Sequence, residues 1–162
     1  MIRYARFTTP IGTLLATACN GALTGLYFDG ERHAPAPGAD WIEDEALFGE
    51  CRRQLTEYFE GVRRAFDVTV APEGSDFQRR IWSEIARIPY GRTITYAELA
   101  KRAGVPGCAR AAGAATGRNP LSIVVPCHRV VGSDGSLTGY AGGIPRKRRL
   151  LEIEEARQGA LV

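Results

Sequence analysis

The chain has 162 residues, 44% of them hydrophobic, which suits one domain or two small ones with a buried core. It contains no long apolar run, which excludes a transmembrane helix, and its opening MIRYARFTTPIGTLL lacks the regions of a signal peptide, so the protein is expected in the cytoplasm. The net charge of +3 is unevenly spread: residues 1–75 carry seven Lys/Arg against eleven Asp/Glu, a balance of −4, and residues 76–150 carry thirteen against four, a balance of +9, which points to a polyanion as partner.

Three strands are predicted at the start, Tyr4 to Thr8, Thr13 to Thr17 and Leu23 to Phe28. Pro10-Ile11-Gly12 and the hairpin signal Asn20-Gly21 separate them. Residues 29–41, rich in Gly, Pro, Ala and charge, read as a loop. Leu47, Phe48, Cys51, Leu55, Tyr58 and Phe59 recur at helical spacing and predict a helix from about Asp44 to Glu60, which Gly61 ends. Phe66 to Val70 reads as a further strand. The composition shifts around Pro72 to Ser75, and the chain divides there into residues 1–73 and 74–162.

The second half opens with a helix from Asp76 to Ile88, stopped by Pro89-Tyr90-Gly91. Thr95 is placed to cap a short helix, Tyr96 to Ala103, with Glu98 at its third position. A Gly104-Val105-Pro106-Gly107 turn and a helix from Cys108 to about Gly117 complete a helix-turn-helix pattern. That second helix is almost bare except for Arg110 and Arg118, so it can lie close to another surface, a neighbouring helix or a DNA groove.

Ile123-Val124-Val125 reads as a buried strand that Pro126 ends, holding Cys127 at its mouth beside His128 and Arg129. Basic neighbours of this kind favour thiolate over thiol. Adjacent strand residues face opposite ways, so His128 would reach the sulfur through a turn or a water. On the last helix, about Arg146 to Arg157, Leu150, Leu151 and Ile153 form the apolar face, and Glu154 falls within it. A carboxylate there needs a partner, His128 or one of the arginines. Cys19, Cys51 and Cys108 read as small buried hydrophobes, and with His33 and His128 as the only histidines no metal site is expected.

The residues Pro126-Cys127-His128-Arg129-Val130, with Ala109-Arg110-Ala111-Ala112-Gly113, Arg118-Asn119-Pro120, Pro89-Tyr90-Gly91, Tyr96, Gly139-Tyr140-Ala141-Gly142-Gly143, Lys147 and Glu154, resemble the O6-alkylguanine-DNA alkyltransferase family. The resemblance is strong from about Asp76 to Glu155 and weaker before it. It implies an α/β chain of the α+β kind, with a ribonuclease-H-like sheet domain and a mainly helical domain carrying the helix-turn-helix and the reactive cysteine. It implies direct repair of double-stranded DNA: the alkylated base is flipped out, and its alkyl group passes irreversibly from O6-alkylguanine, or O4-alkylthymine, to Cys127. It implies that His128 acts as base through water, that Glu154 orients it and that Asn119 braces the site. Tyr140, Ala141 and Val130 would line the base pocket, with alanine at 141 where many members have serine. Arg110, Tyr96, Ala111 and Gly113 would contact DNA, with Arg110 filling the vacated stack. It implies no cofactor, no zinc and a monomer. The alternatives are a thiol hydrolase, or an alkylated-DNA-binding or regulatory protein without transfer activity.

Overall fold

The computed structural model describes residues 1–159, with side chains through Glu155. Strands β1 (Arg3–Thr9), β2 (Gly12–Cys19), β3 (Ala22–Phe28) and β4 (Ile42–Glu43) form one sheet in the order β3-β2-β1-β4. β1 and β2 pair antiparallel from Arg3↔Ala18 to Thr9↔Gly12. Asn20 and Gly21 join β2 to β3 with φ of 52° and 80°, the left-handed pair that a two-residue hairpin turn requires. β4 runs parallel to β1 and lies between the predicted loop of residues 29–41 and the predicted helix, where the sequence carries no strand signal.

The predicted helix after it begins as a 3-10 turn, Glu45–Phe48, with the Asp44 carboxylate accepting from Leu47 N. It continues as α1 (Gly49–Phe59), which buries Cys51, Leu55 and Tyr58. Residues 66–70 do not form the predicted strand: Val70 alone makes a parallel bridge to Leu23. Leu23 N donates to Thr69 O at 2.9 Å and Ala71 N donates to Leu23 O at 2.8 Å. Pro72, lacking an N–H, then ends any ladder.

The second half packs α2 (Asp76–Ile85), α3 (Tyr96–Arg102) and α4 (Ala109–Gly117) together. Ser75 and Gln78 form a reciprocal capping box on α2. α2 ends three residues earlier than predicted, because the chain tightens to i→i−3 bonds at Arg87 and Ile88 before Pro89. Thr95 caps α3 as its sequence position suggests. The Glu98 side chain turns instead to Arg102, at 3.0 Å. Trp82 Nε1 donates to Ala115 O at 2.8 Å and locks α2 to the bare helix α4.

Two short strands, β5 (Ile94–Thr95) and β6 (Val130–Val131), pair in parallel, and α5 (Ile144–Gly159) closes the chain. The fold is α+β. Among the described residues no helix is long and apolar enough to cross a membrane.

One tie between the halves matters most for the site. Leu26 N donates to Pro120 O at 2.7 Å, and Ser122 N donates to Leu26 O at 3.0 Å. The outer edge of β3 is thus occupied by the chain that leads to Cys127.

Candidate active site

Residues 123–125 are not the expected buried strand. They form a compact turn, with Ile123 at φ 71°, unusual for a β-branched residue. The cause is Asn119, whose Oδ1 accepts from Leu121 N at 2.9 Å and whose Nδ2 donates to Val125 O at 2.8 Å. Val125 N also donates to Leu121 O at 2.9 Å. These bonds use the backbone groups a ladder would need. The chain then enters a 3-10 turn, Cys127–Arg129, so the geometry around His128 is helical rather than extended.

Cys127 is 3% exposed. Its pKa contradicts the expectation of a resting thiolate: burial pushes the thiol up to about 11, and the Asn119 hydrogen bond and the Lys147 charge offset only part of that. The group at rest is a thiol, so a base must take its proton before it can attack. Lys147 is fully buried, donates from Nζ to Thr138 O at 2.9 Å and lies 5.8 Å from the Tyr96 ring centroid. Burial lowers its pKa to about 8, with Cys127 acting in the other direction.

His128 is fully buried, and burial lowers its pKa, which keeps the imidazole neutral and able to act as base. Its Nε2 lies 2.7 Å from Glu154 Oε2, so the nitrogen facing the carboxylate carries the proton. Nδ1 is then the free lone pair, and among the described residues it has no hydrogen-bond partner.

Glu154, 1% exposed on α5, meets both partners that its position in the apolar face left open. Besides His128 it takes Arg129 in a two-pronged pair, Nε to Oε1 and Nη2 to Oε2, each at 2.9 Å. It also accepts from Gly91 N at 3.2 Å and from Tyr58 Oη at 2.6 Å. Burial opposes its charge, but the bonds from His128 and Arg129 dominate and hold the carboxyl far below its ordinary value.

Tyr140 is buried, and among the described residues its hydroxyl meets no hydrogen-bond partner; burial followed by the Cys127 charge raises its pKa well above the ordinary value, with the nearby Ser122 hydroxyl offsetting part of that. It keeps its proton and can donate it. Val130 is buried at the start of β6, and Ala141 is half-buried beside Tyr140.

Tyr96, Arg110 and Gly113 come together on the outer face. They line an open groove of about 580 Å³ with Ala97, Ala109, Ser133, Thr138 and Gly139. A Cβ at Gly113 would sit 3.6 Å from the Tyr96 ring, so α4 approaches α3 there as closely as an alanine would still allow. Ala111 is exposed on α4 and does not line this groove. Cys108, expected to be buried, is exposed at the helix cap, and Cys19 is half-buried. Among the described residues no group of three or more His, Cys, Asp or Glu could hold a metal ion.

Sequence reasoning misses Glu31, since a lone acid in a loop carries no periodic signal. It is 7% exposed, and its Oε1 accepts from Phe28 N at 2.6 Å. Burial raises its pKa to about 7, while Phe28, Arg146 and Ser122 act to lower it. A carboxyl raised from 4.5 to about 7 on folding releases its proton more readily when unfolded. Its stabilising share is therefore full below 4.5 and is lost as pH rises towards 7. A Glu31→Gln variant keeps the acceptor and loses the charge. We expect it to resist urea better than the parent above pH 7, by on the order of 2 kcal/mol, with the difference vanishing below pH 4.5. An unchanged urea midpoint at both pH values would contradict this.

Comparison with known proteins bears on the whole chain. Residues 2–72 match the 6-O-methylguanine DNA methyltransferase ribonuclease-like domain, and residues 76–156 match the DNA binding domain of the same family. A methylated-DNA–protein-cysteine methyltransferase of Methanosarcina acetivorans is 46% identical over 152 residues, covering 93% of this chain and 97% of its own. One from Mycobacterium tuberculosis is 45% identical over 160 residues, covering 99% of this chain and 96% of its own. Among solved structures, the O6-methylguanine methyltransferase of Mycobacterium tuberculosis superposes with a TM-score of 0.90 at 44% identity, covering 97% of this chain and 94% of its own. The Mycobacterium tuberculosis protein OGT, solved in complex with DNA, gives 0.89 at 44% identity over 96% and 94%.

Proposed function

Since the chain belongs to the 6-O-methylguanine DNA methyltransferase family, we propose that it binds double-stranded DNA, flips out an alkylated guanine and takes the alkyl group onto Cys127. DNA repair by alkyl transfer to a cysteine is its activity. The assignment to particular residues is our reading. The observation that carries it is the buried row of thiol, imidazole and carboxylate, with one imidazole nitrogen engaged by Glu154 and the other free.

The steps follow from those groups. Nδ1 of His128 accepts the Cys127 proton through a water, with Glu154 stabilising the imidazolium that forms. The thiolate attacks the alkyl carbon, so a sulfur–carbon bond forms as the carbon–oxygen bond to the base breaks. The departing base takes a proton from Tyr140, whose burial keeps that hydroxyl protonated until then. Lys147 steadies the thiolate, and Asn119 fixes the turn that presents it. Nothing in this set removes the alkyl group afterwards, so each molecule acts once. Val130 and Ala141 serve as pocket walls, residues 1–73 and 74–162 as the two domains, and the protein works as a monomer in the cytoplasm beside its DNA.

Arg110 stands exposed on α4, in a helix otherwise of alanine, glycine and one threonine. It is the long side chain that this helix can drive into a duplex, and a guanidinium in the vacated stack offsets part of the few kcal/mol that unstacking costs. Arg110→Ala should therefore slow repair of duplex substrate by roughly 10- to 100-fold. Reaction with free O6-alkylguanine base should barely change. Equal slowing of both would assign the arginine to the pocket or the fold instead. The test of the whole reading is intact mass after incubation with an oligonucleotide carrying O6-methylguanine. Retained alkyl supports transfer, multiple turnover supports a hydrolase, and binding without transfer supports a regulator.

A further inference from the structure

The apolar face of α1 ends in a hydroxyl that reaches the other half of the protein. Tyr58 is fully buried, and its ring packs against Phe59, Phe66 and Tyr90, with centroids at 5.2, 5.6 and 6.1 Å. Its Oη lies 2.6 Å from Glu154 Oε2, a contact spanning 96 residues of sequence. That oxygen is the one facing His128 Nε2 at 2.7 Å, and Arg129 Nη2 donates to it at 2.9 Å. Three donors therefore converge on a single carboxylate oxygen.

We propose that Tyr58 is a positioning residue for alkyl transfer, which fixes the Glu154 carboxylate and moderates how strongly it draws a proton onto His128. The proposal rests on the reading of Cys127, His128 and Glu154 given above. Burial and the adjacent Glu154 charge raise the phenol's pKa, so the hydroxyl stays protonated and acts only as a donor. A donor at Oε2 withdraws electron density that would otherwise go to the imidazole. With Tyr58 in place, His128 is held in line yet remains weakly basic, so it is neutral at the start of each reaction. The other charged groups facing this pair are Arg129 and Lys147, which both lower the His128 pKa, and Glu154 itself, which raises it. Arg129 is held in turn by Ile88 O at 2.6 Å, so it cannot swing into the space the hydroxyl would leave.

The sheet half of the molecule thus contributes one hydrogen bond to the chemistry of the helical half. A residue that merely fills space would leave the titration of His128 unchanged when its hydroxyl is removed and its ring kept. Tyr58→Phe makes that change.

The chain has two histidines, so histidine carbon-labelled protein gives two NMR titrations, with exposed His33 as internal reference. In Tyr58→Phe the His128 midpoint should rise by about half a pH unit or more, because the carboxylate now serves the imidazole with one competitor fewer. The acid limb of the single-turnover transfer rate should rise by the same amount, with the affinity for undamaged duplex unchanged. Fluorotyrosine placed at position 58 alone, a stronger donor of nearly the same shape, should move both midpoints the other way, and it keeps the test open if the phenylalanine variant does not fold. Unmoved midpoints in a folded variant that still transfers alkyl groups would overturn the role of Tyr58. A parent protein that transfers nothing to Cys127 would overturn the reading on which that role rests.

Discussion

Glu154→Gln should be the most damaging single change to the site outside the nucleophile. Transfer from O6-methylguanine duplex should slow on the order of 10²-fold, the usual loss when a general base is deprived of its support. Stability should fall by about 3–5 kcal/mol, because Arg129 would be left buried with its charge uncompensated. Glutamine cannot carry the charge that stabilises the imidazolium, and its amide nitrogen would face donors from His128, Arg129, Gly91 or Tyr58. The pH dependence has a definite sign. The folded carboxyl lies far below its ordinary value of 4.5, so its stabilising share is present above that value and is lost as pH falls below it. The parent should therefore lose urea resistance in acid more steeply than the variant. Single-turnover rates at one duplex concentration, together with urea midpoints from pH 3 to 7, check both halves. A folded variant with the parent's transfer rate would leave Glu154 as a structural ion pair and nothing more.

Cys127 should become methylated once per protein molecule and remain so. The peptide containing it should gain about 14 Da, one added CH₂, after incubation with O6-methylguanine DNA, and the other three cysteines should gain nothing. Cys51 is held up to about 11 by burial, without the hydroxyl, amide or lysine neighbours that surround Cys127. Cys108 is exposed and makes a useful control, because simple alkylating reagents should reach it first. Cys127→Ala should abolish transfer and still bind DNA. Repeated turnover by one molecule, or methyl groups on Cys108, would contradict this account.

Local signals in the sequence carried much of the fold. Asn20-Gly21 marked a real hairpin, and Thr95 sits where it caps α3. The inward face of α5 is legible from Leu150, Leu151 and Ile153 with Glu154 among them, because helical periodicity needs no knowledge of what lies opposite; Leu150 and Glu154 are buried, and Leu151 and Ile153 are half-buried at its sides. Ile123-Val124-Val125 misled for the complementary reason. Three β-branched residues favour a strand, but Asn119 claims the neighbouring backbone groups and bends them into a turn. β-propensity describes residues that fit a sheet, and here the pairing with β3 stops at Ser122 because the turn takes the backbone groups that follow. At the site, the nucleophile and its histidine were adjacent in sequence and could be read directly. Tyr58, Glu31 and the setting of Lys147 could not, because each owes its place to a partner far along the chain. The state of the thiol was misjudged for the same reason: its neighbours are basic, but its burial outweighs them.

The pairing of Leu26 with Pro120 and Ser122 also governs the order in which the molecule can be made. A contact spanning nearly a hundred residues closes late, since loop entropy must be overcome before it forms. During synthesis the first half leaves the ribosome well before the segment that completes it, and the outer edge of β3, paired at Leu23 by residues 69–71, waits with Leu26 open. The turn before Cys127 is then shaped against a sheet that already exists. A chain cut short or still folding has its cysteine without that brace, so base-assisted transfer becomes available only once both halves are in place, and the burial that holds back the resting thiol arrives with them.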